Sequence, residues 1–311
     1  MWRAVVLAVS GNPAFRRLVT RSSIGRRMAL RFVAGETLDS AIAAARELNL
    51  RGAAVELDYL GEHVREREQA AQVVETYVNI LDEIASSRVE SHISLKPSQM
   101  GLELEDDLTY TNLKRVVQKA ASYGNFVWID MESSDYTERT IKLYEKLRAR
   151  FDNVGLALQA YLHRARADVE SIVSINGTAR LCKGAYSEPP EVALRHKSDV
   201  DSNFALLSEI LLSSRQYHAI ATHDEKMIAH AVEFARANGL DKRSFEFQML
   251  YGIRRDLQSL LAREGYRLRV YVPYGEQWYP YLMRRLAERP ANLAFLLRSL
   301  ATEVHHIDRR T

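Results

Sequence analysis

The chain has 311 residues, 47% of them hydrophobic, which suffices for a sizeable core in one large domain or two modest ones. Its lone cysteine, Cys182, excludes an intrachain disulfide and a structural zinc site built on several cysteines, and no apolar run is long enough to cross a bilayer. The formal charge of +3 is unevenly placed: residues 1–35 hold seven arginines and no lysine or acid, and removing that +7 leaves −4 for the body, which disfavours nucleic-acid binding there.

The basic segment comes first. Arg3 precedes an apolar stretch too short for a signal peptide. Arg16, Arg17, Arg21, Arg26, Arg27 and Arg31 alternate with Leu18, Val19, Ile24, Met28, Leu30, Phe32 and Val33, which give the segment enough apolar surface to pack. A transit peptide and a membrane-surface helix are the competing readings. The preferred one is a helical arm over residues 1–35 packed on a catalytic domain spanning 36–311, with weak membrane-surface contact second.

From Ala53 short apolar runs alternate with helical patterns. The predicted strands are 53–58, 92–96, 126–130, 154–159, 179–183, 219–223, 245–249 and 268–272. Between the first two, Val73, Val74, Tyr77, Ile80, Leu81 and Ile84 form an apolar helical stripe within 64–84. Asp224 is placed to cap a helix carrying Met227, Ile228, Ala231 and Val232, and Gly239 to end it. Eight strands each followed by a helix predict a (β/α)₈ barrel. The competing doubly wound sheet lacks its Gly-x-Gly-x-x-Gly after the first strand.

Asp58, Lys96, Asp130, Gln159, Lys183, His223, Gln248 and Tyr271 fall at or near the carboxyl ends of these strands. In a barrel those ends converge on one mouth, where the chemistry sits. Beyond the last strand stand Arg284 and Arg285, with Tyr281 three and four residues before them. Two guanidinium forks suit a small carboxylate, while Arg284 pairing with Glu288 on a solvated helix is the plain alternative. His223 and His230, or His305 and His306, do not form a metal site, and no Gly-x-Ser-x-Gly starts a serine triad. A carboxylate-binding mouth without an activated nucleophile asks for a cofactor.

Four motifs then stand in order: Arg180-Leu181-Cys182-Lys183-Gly184-Ala185-Tyr186, Ala221-Thr222-His223-Asp224, Phe245-Glu246-Phe247-Gln248-Met249-Leu250-Tyr251-Gly252, and Tyr271-Val272-Pro273-Tyr274-Gly275 through Arg284-Arg285. Together, over roughly residues 36–300, they resemble the proline dehydrogenase family, flavoenzymes on a (β/α)₈ barrel. The length and the Arg-rich arm are similar to the monofunctional bacterial form.

The resemblance implies FAD-dependent oxidation of L-proline to Δ1-pyrroline-5-carboxylate by hydride transfer to the flavin. It also implies a membrane quinone as electron acceptor and a pyrroline-5-carboxylate dehydrogenase downstream. The location it suggests is cytoplasmic, with peripheral contact at the inner face of the cell membrane as a further option. By motif, Lys96, Arg284 and Arg285 would hold the substrate carboxylate. Tyr186 and Tyr271 would line the ring pocket, with Leu181 as an apolar wall. Arg180 would donate to the flavin nitrogen that receives the hydride, and Gln159 would bond the ring edge. The Met131 backbone, Lys183, Gly184, Ala185, Thr222 and His223 would complete the flavin site. Asp130 would orient Lys96 or move a proton. Glu62 would pair with Arg284 to close the site, and Glu288 and Asn292 match the family without an assigned role. Cys182, at a position usually aliphatic, and Ser187, where bifunctional relatives carry Trp, depart from the pattern. The alternatives are another flavin barrel enzyme such as a methylenetetrahydrofolate reductase, and a non-catalytic basic-armed binding protein.

Overall fold

The computed structural model describes residues 10–288. Asn292, the His305-His306 pair and residues 1–9 of the arm lie outside the described residues, as does the side chain of Glu288.

Eight parallel strands close into a barrel in sequence order: β1 (Ala54–Tyr59), β2 (Ser91–Leu95), β3 (Val127–Ile129), β4 (Val154–Gln159), β5 (Thr178–Cys182), β6 (Ala219–Ala221), β7 (Glu246–Leu250) and β8 (Arg267–Tyr274). β1 pairs with β8 from Ala54↔Arg269 to Tyr59↔Tyr274, which closes the sheet and leaves no edge. All eight predicted strands are present, each shifted by a few residues at most.

Strand alternation sorts the side chains into two environments. Val55, Leu57, Ile93, Leu95, Val270 and Val272 point outward and are buried against the ring of helices. Each such burial contributes roughly 1.5–3 kcal/mol. The helix Arg67–Ser87 shows how the ring is made: Ala70, Val74, Tyr77, Leu81 and Ile84 recur at helical spacing and are all buried. The helix Glu225–Ala237 is capped by Asp224, whose side chain accepts from the Lys226 N–H at 3.1 Å, and Gly239 follows it at φ +64°.

A second, smaller core lies apart from this ring. Two helices, α1 (Pro13–Arg21) and α2 (Ser23–Ala29), and the residues just after them bring Val19, Met28 and Phe32 against Trp278, Leu282 and Leu286 of the last described helix, Trp278–Glu288. The following chain is tied to the end of β8, with the Ala34 N–H donating to Pro273 O at 2.8 Å. Gly252 permits the crossing: at φ +74°, a Cβ there would stand 1.6 Å from the Arg31 carbonyl oxygen. The basic segment thus packs on the helix that carries Arg284 and Arg285.

Candidate active site

The inner face of the barrel is polar where the outer face is aliphatic. Lowest is Arg269, whose Nε donates to both Glu246 oxygens at 2.9 and 3.1 Å. The Gln248 amide nitrogen donates to Glu246 at 2.6 Å, and the Gln248 oxygen accepts from Arg180 Nη1 at 3.2 Å. Arg180 also bonds Glu56, Asp130 and, at 3.2 Å, Ser94 Oγ. Its guanidinium lies 5.2 Å from the Trp128 ring centre and 5.8 Å from that of Tyr271. Trp128 has room because its partner across the β3–β4 pair is Gly155, where a Cβ would meet the indole at 2.6 Å.

Above this column sits Lys96. Its Nζ is 2.9 Å from Asp58 Oδ1 and 3.1 Å from Asp130 Oδ2, and donates to the Tyr271 hydroxyl at 3.3 Å. Asp130 also accepts from Tyr271 at 3.0 Å and from Ser94 Oγ at 2.7 Å. Burial works against its charge, but Lys96, Arg180 and these hydrogen bonds outweigh it and hold the carboxyl below the usual range. Burial likewise opposes the charge on Lys96, yet Asp58 and Asp130 push its ammonium well above the ordinary lysine value. Burial beside Asp130 and Asp58 keeps the Tyr271 phenol protonated far above its usual value. Glu56 differs: burial is offset only in part by Arg180, and its carboxyl is pushed up to about 7.

The helix Trp278–Glu288 closes one side. Arg284 donates to both Glu62 oxygens, at 2.7 and 3.2 Å, and Arg285 lies over the Tyr281 ring at 5.2 Å. Between helix and barrel is a cavity of about 440 Å³. Lys96, Asp130, Met131, Arg180, Lys183, Gly184, Ala185, Tyr186, Thr222, His223, Tyr271, Arg284 and Arg285 all line it.

Not every expected residue stands on that wall. Gln159 lies behind it, its amide nitrogen donating to the carbonyls of Met131 at 3.4 Å and Glu132 at 3.2 Å. Leu181 is a correction: alternation turns it outward between inward-facing Arg180 and Cys182, and it is wholly buried in the main core. It cannot be the apolar wall of a ring pocket. His223 uses Nε2 to accept from the Leu250 N–H at 2.8 Å, which fixes its ring at the rim. Lys183 is held by Asp201 at 2.5 Å and Asp224 at 2.6 Å.

Sequence reasoning missed Glu56, Ser94, Trp128, Arg269 and the ionic role of Glu246. A signal existed. Glu56 stands two residues before Asp58, Ser94 before Lys96, Trp128 before Asp130, Glu246 before Gln248 and Arg269 before Tyr271, so each shares the inner face with a residue already placed at the mouth.

A sequence profile described as proline dehydrogenase matches residues 41–298. Proline dehydrogenase 1 of Bacillus subtilis strain 168 is 40% identical over 301 residues, covering 96% of this chain and 99% of that protein. Proline dehydrogenase of Deinococcus radiodurans is 39% identical, covering 96% and 98%. Among solved structures, proline utilization A from Bdellovibrio bacteriovorus inactivated by N-propargylglycine superposes with a TM-score of 0.80 at 22% identity. That match covers 91% of this chain and 37% of the solved one, so this chain spans little more than a third of that protein's length. Barrel, mouth and near full-length similarity agree: the chain belongs to the proline dehydrogenase family and is an enzyme of proline oxidation.

Proposed function

We propose that the protein binds FAD at the mouth of its barrel, oxidises L-proline to Δ1-pyrroline-5-carboxylate and passes the electrons to a membrane quinone. The observation that carries this reading is the meeting of Lys96, Arg284 and Arg285 with Tyr186 and Tyr271 around one cavity. Three cations suit one small carboxylate, and two phenol rings suit a small saturated ring beside it.

The residues present fit a flavin. Gln159 Oε1 is buried and has no hydrogen-bond partner, so an acceptor stands ready beneath the mouth. Met131, Gly184, Ala185 and Thr222 would border the ring and its tail, with His223 at the rim. Lys183 is the least ready of these contacts, since a phosphate there would have to share it with Asp201 and Asp224. When bound, the flavin supplies the two-electron acceptor that no side chain here provides. Arg180 brings a permanent positive charge to the acceptor side, fixed by two carboxylates and a stacked indole.

The protein's part in the reaction is binding, orientation and exclusion of water. Asp130 stays ionised and is saturated by Lys96, Arg180, Ser94 and Tyr271. We therefore assign it to orienting Lys96 and Tyr271 rather than to taking the proton from the substrate nitrogen. The Glu62–Arg284 pair closes the site over the substrate. The arm (residues 1–35) serves as a packed extension of the barrel domain (36–311), with its arginines available to an acidic membrane surface. Among the described residues no helix is long and apolar enough to cross a membrane.

The test is direct. Purified protein should be yellow and should bleach on anaerobic addition of L-proline. Colourless protein that gains no flavin from added FAD would refute the reading, and bleaching by NADH but not by proline would replace it with a reductase.

A further inference from the structure

We propose that Glu56 is a positioning residue that holds Arg180 from inside the barrel and takes up one proton when negative charge is added beside Arg180. The proposal rests on the reading that a flavin lies against Arg180.

Three observations converge on Glu56. It is fully buried, and one of its oxygens bonds Arg180 while the other, Oε2, has no hydrogen-bond partner. It shares that guanidinium with a second carboxylate, Asp130. The column to which both belong contains three cations, Lys96, Arg180 and Arg269, against four carboxylates, Glu56, Asp58, Asp130 and Glu246. A buried column carries an uncompensated negative charge only at a cost, so one of its carboxylates is poised to take up a proton.

The neighbours narrow its position. Asp130 is kept ionised against its burial by Lys96 and Arg180, and Glu246 against its burial by Arg269. The remaining acids are Glu56 and Asp58, both pushed up by burial. Glu56 faces Arg180 on β5, Asp130 just after β3 and Arg269 on β8, and its register partners on β2 and β8 are His92 and Tyr271. His92 is held neutral by burial and the nearby arginines, and Tyr271 stays protonated, so neither supplies a compensating charge. Asp58 sits on Lys96 instead. Charge arriving at the outer side of Arg180 weakens the hold of that guanidinium on Glu56 first. A carboxylate already poised at about 7 then binds a proton.

The balance is simple. Reduction brings two electrons and one proton to the flavin, and a second proton passes from solvent to Glu56 Oε2. Well below pH 7 Glu56 already carries its proton before reduction and takes up none. As pH rises past 7 it is increasingly empty beforehand and fills as the flavin is reduced.

A potentiometric titration of the flavin-loaded protein between pH 6 and 9 reads this as protons taken up per two electrons. In the wild type the count should rise above one from about pH 7. In Glu56→Gln, which keeps the shape but not the charge, it should stay at one throughout, while Asp58→Asn should keep the rise. A wild type without the rise, or a flavin-loaded Glu56→Gln with it, overturns the proposal alone, provided Arg180→Lys shifts the potential. A potential indifferent to Arg180→Lys sinks the flavin reading and this proposal together. Should Glu56→Gln not fold, the wild-type titration still decides, and Glu56→Asp should retain the rise with a displaced onset.

Discussion

Cutting the Glu62–Arg284 pair separately from each side gives the sharpest test of site closure. The two side chains are 20% and 27% exposed, and the contact is bidentate at 2.7 and 3.2 Å. Two unit charges about 4 Å apart attract by about 4 kcal/mol at an effective dielectric of about 20. Desolvation and the remaining solvent contact consume much of that, leaving a coupling of about 1–2 kcal/mol, or roughly 5- to 30-fold. The assay is kcat/KM for L-proline in wild type, Arg284→Met, Glu62→Ala and the double variant. If the pair closes the site, the second change costs little once the first is made. Strict additivity of the two losses would show that the contact contributes nothing to turnover and would refute the closure argument.

Arg285→Met should retain flavin and lose about 2–4 kcal/mol of transition-state binding, roughly 30- to 1000-fold in kcat/KM; near-normal proline kinetics would remove Arg285 from the site. Tyr271→Ser should narrow the preference for L-proline over trans-4-hydroxy-L-proline, because it removes a ring that lines the cavity and the hydroxyl that bonds Asp130; an unchanged ratio of efficiencies would place Tyr271 away from the substrate. His218 bears on acid stability: it accepts from the Ala179 N–H at 3.0 Å, and burial lowers its pKa from 6.5 to about 4. Between those values the unfolded chain binds more protons, so stability is lost as pH falls through the window, by about 3 kcal/mol at its lower end. Urea midpoints at pH 7 and pH 4.5 should drop less in His218→Asn than in wild type. Glu56 acts in the opposite sense between 4.5 and about 7 in both proteins, so the difference isolates His218, and equal drops would refute the assignment.

The barrel was legible because its outward residues are aliphatic and its helices carry clean stripes: Val55 and Leu57, or Val74 and Leu81, announce their elements by themselves. The mouth was legible because strand ends can be counted. What stayed hidden was pairing. Arg180 meets Glu56 across 124 positions and Glu62 meets Arg284 across 222, and nothing local in Val55-Glu56-Leu57 says which cation completes it. The pairing of Glu62 with Arg284 was reached through resemblance to relatives, whereas Glu56 had no such guide. Leu181 was misplaced for a local reason, since its motif was weighed without its strand parity. The contact between the basic segment and the helix Trp278–Glu288 was invisible too, because each apolar face could have been covered by anything.

That second core orders events in time. Val19, Met28 and Phe32 leave the ribosome long before Leu282 and Leu286, their cover. At about 5–20 residues per second the wait is roughly a quarter of a minute to a minute. Strands β1 to β7 emerge in that interval, but β8 and the helix Trp278–Glu288 that carries the arginine pair follow only at its end, a few residues apart. For most of the wait the nascent chain therefore holds seven strands, with neither the sheet closed nor the mouth finished. Its early apolar faces await the cover of Leu282 and Leu286, and sheet closure and seating of the arginine pair come together in one late docking step.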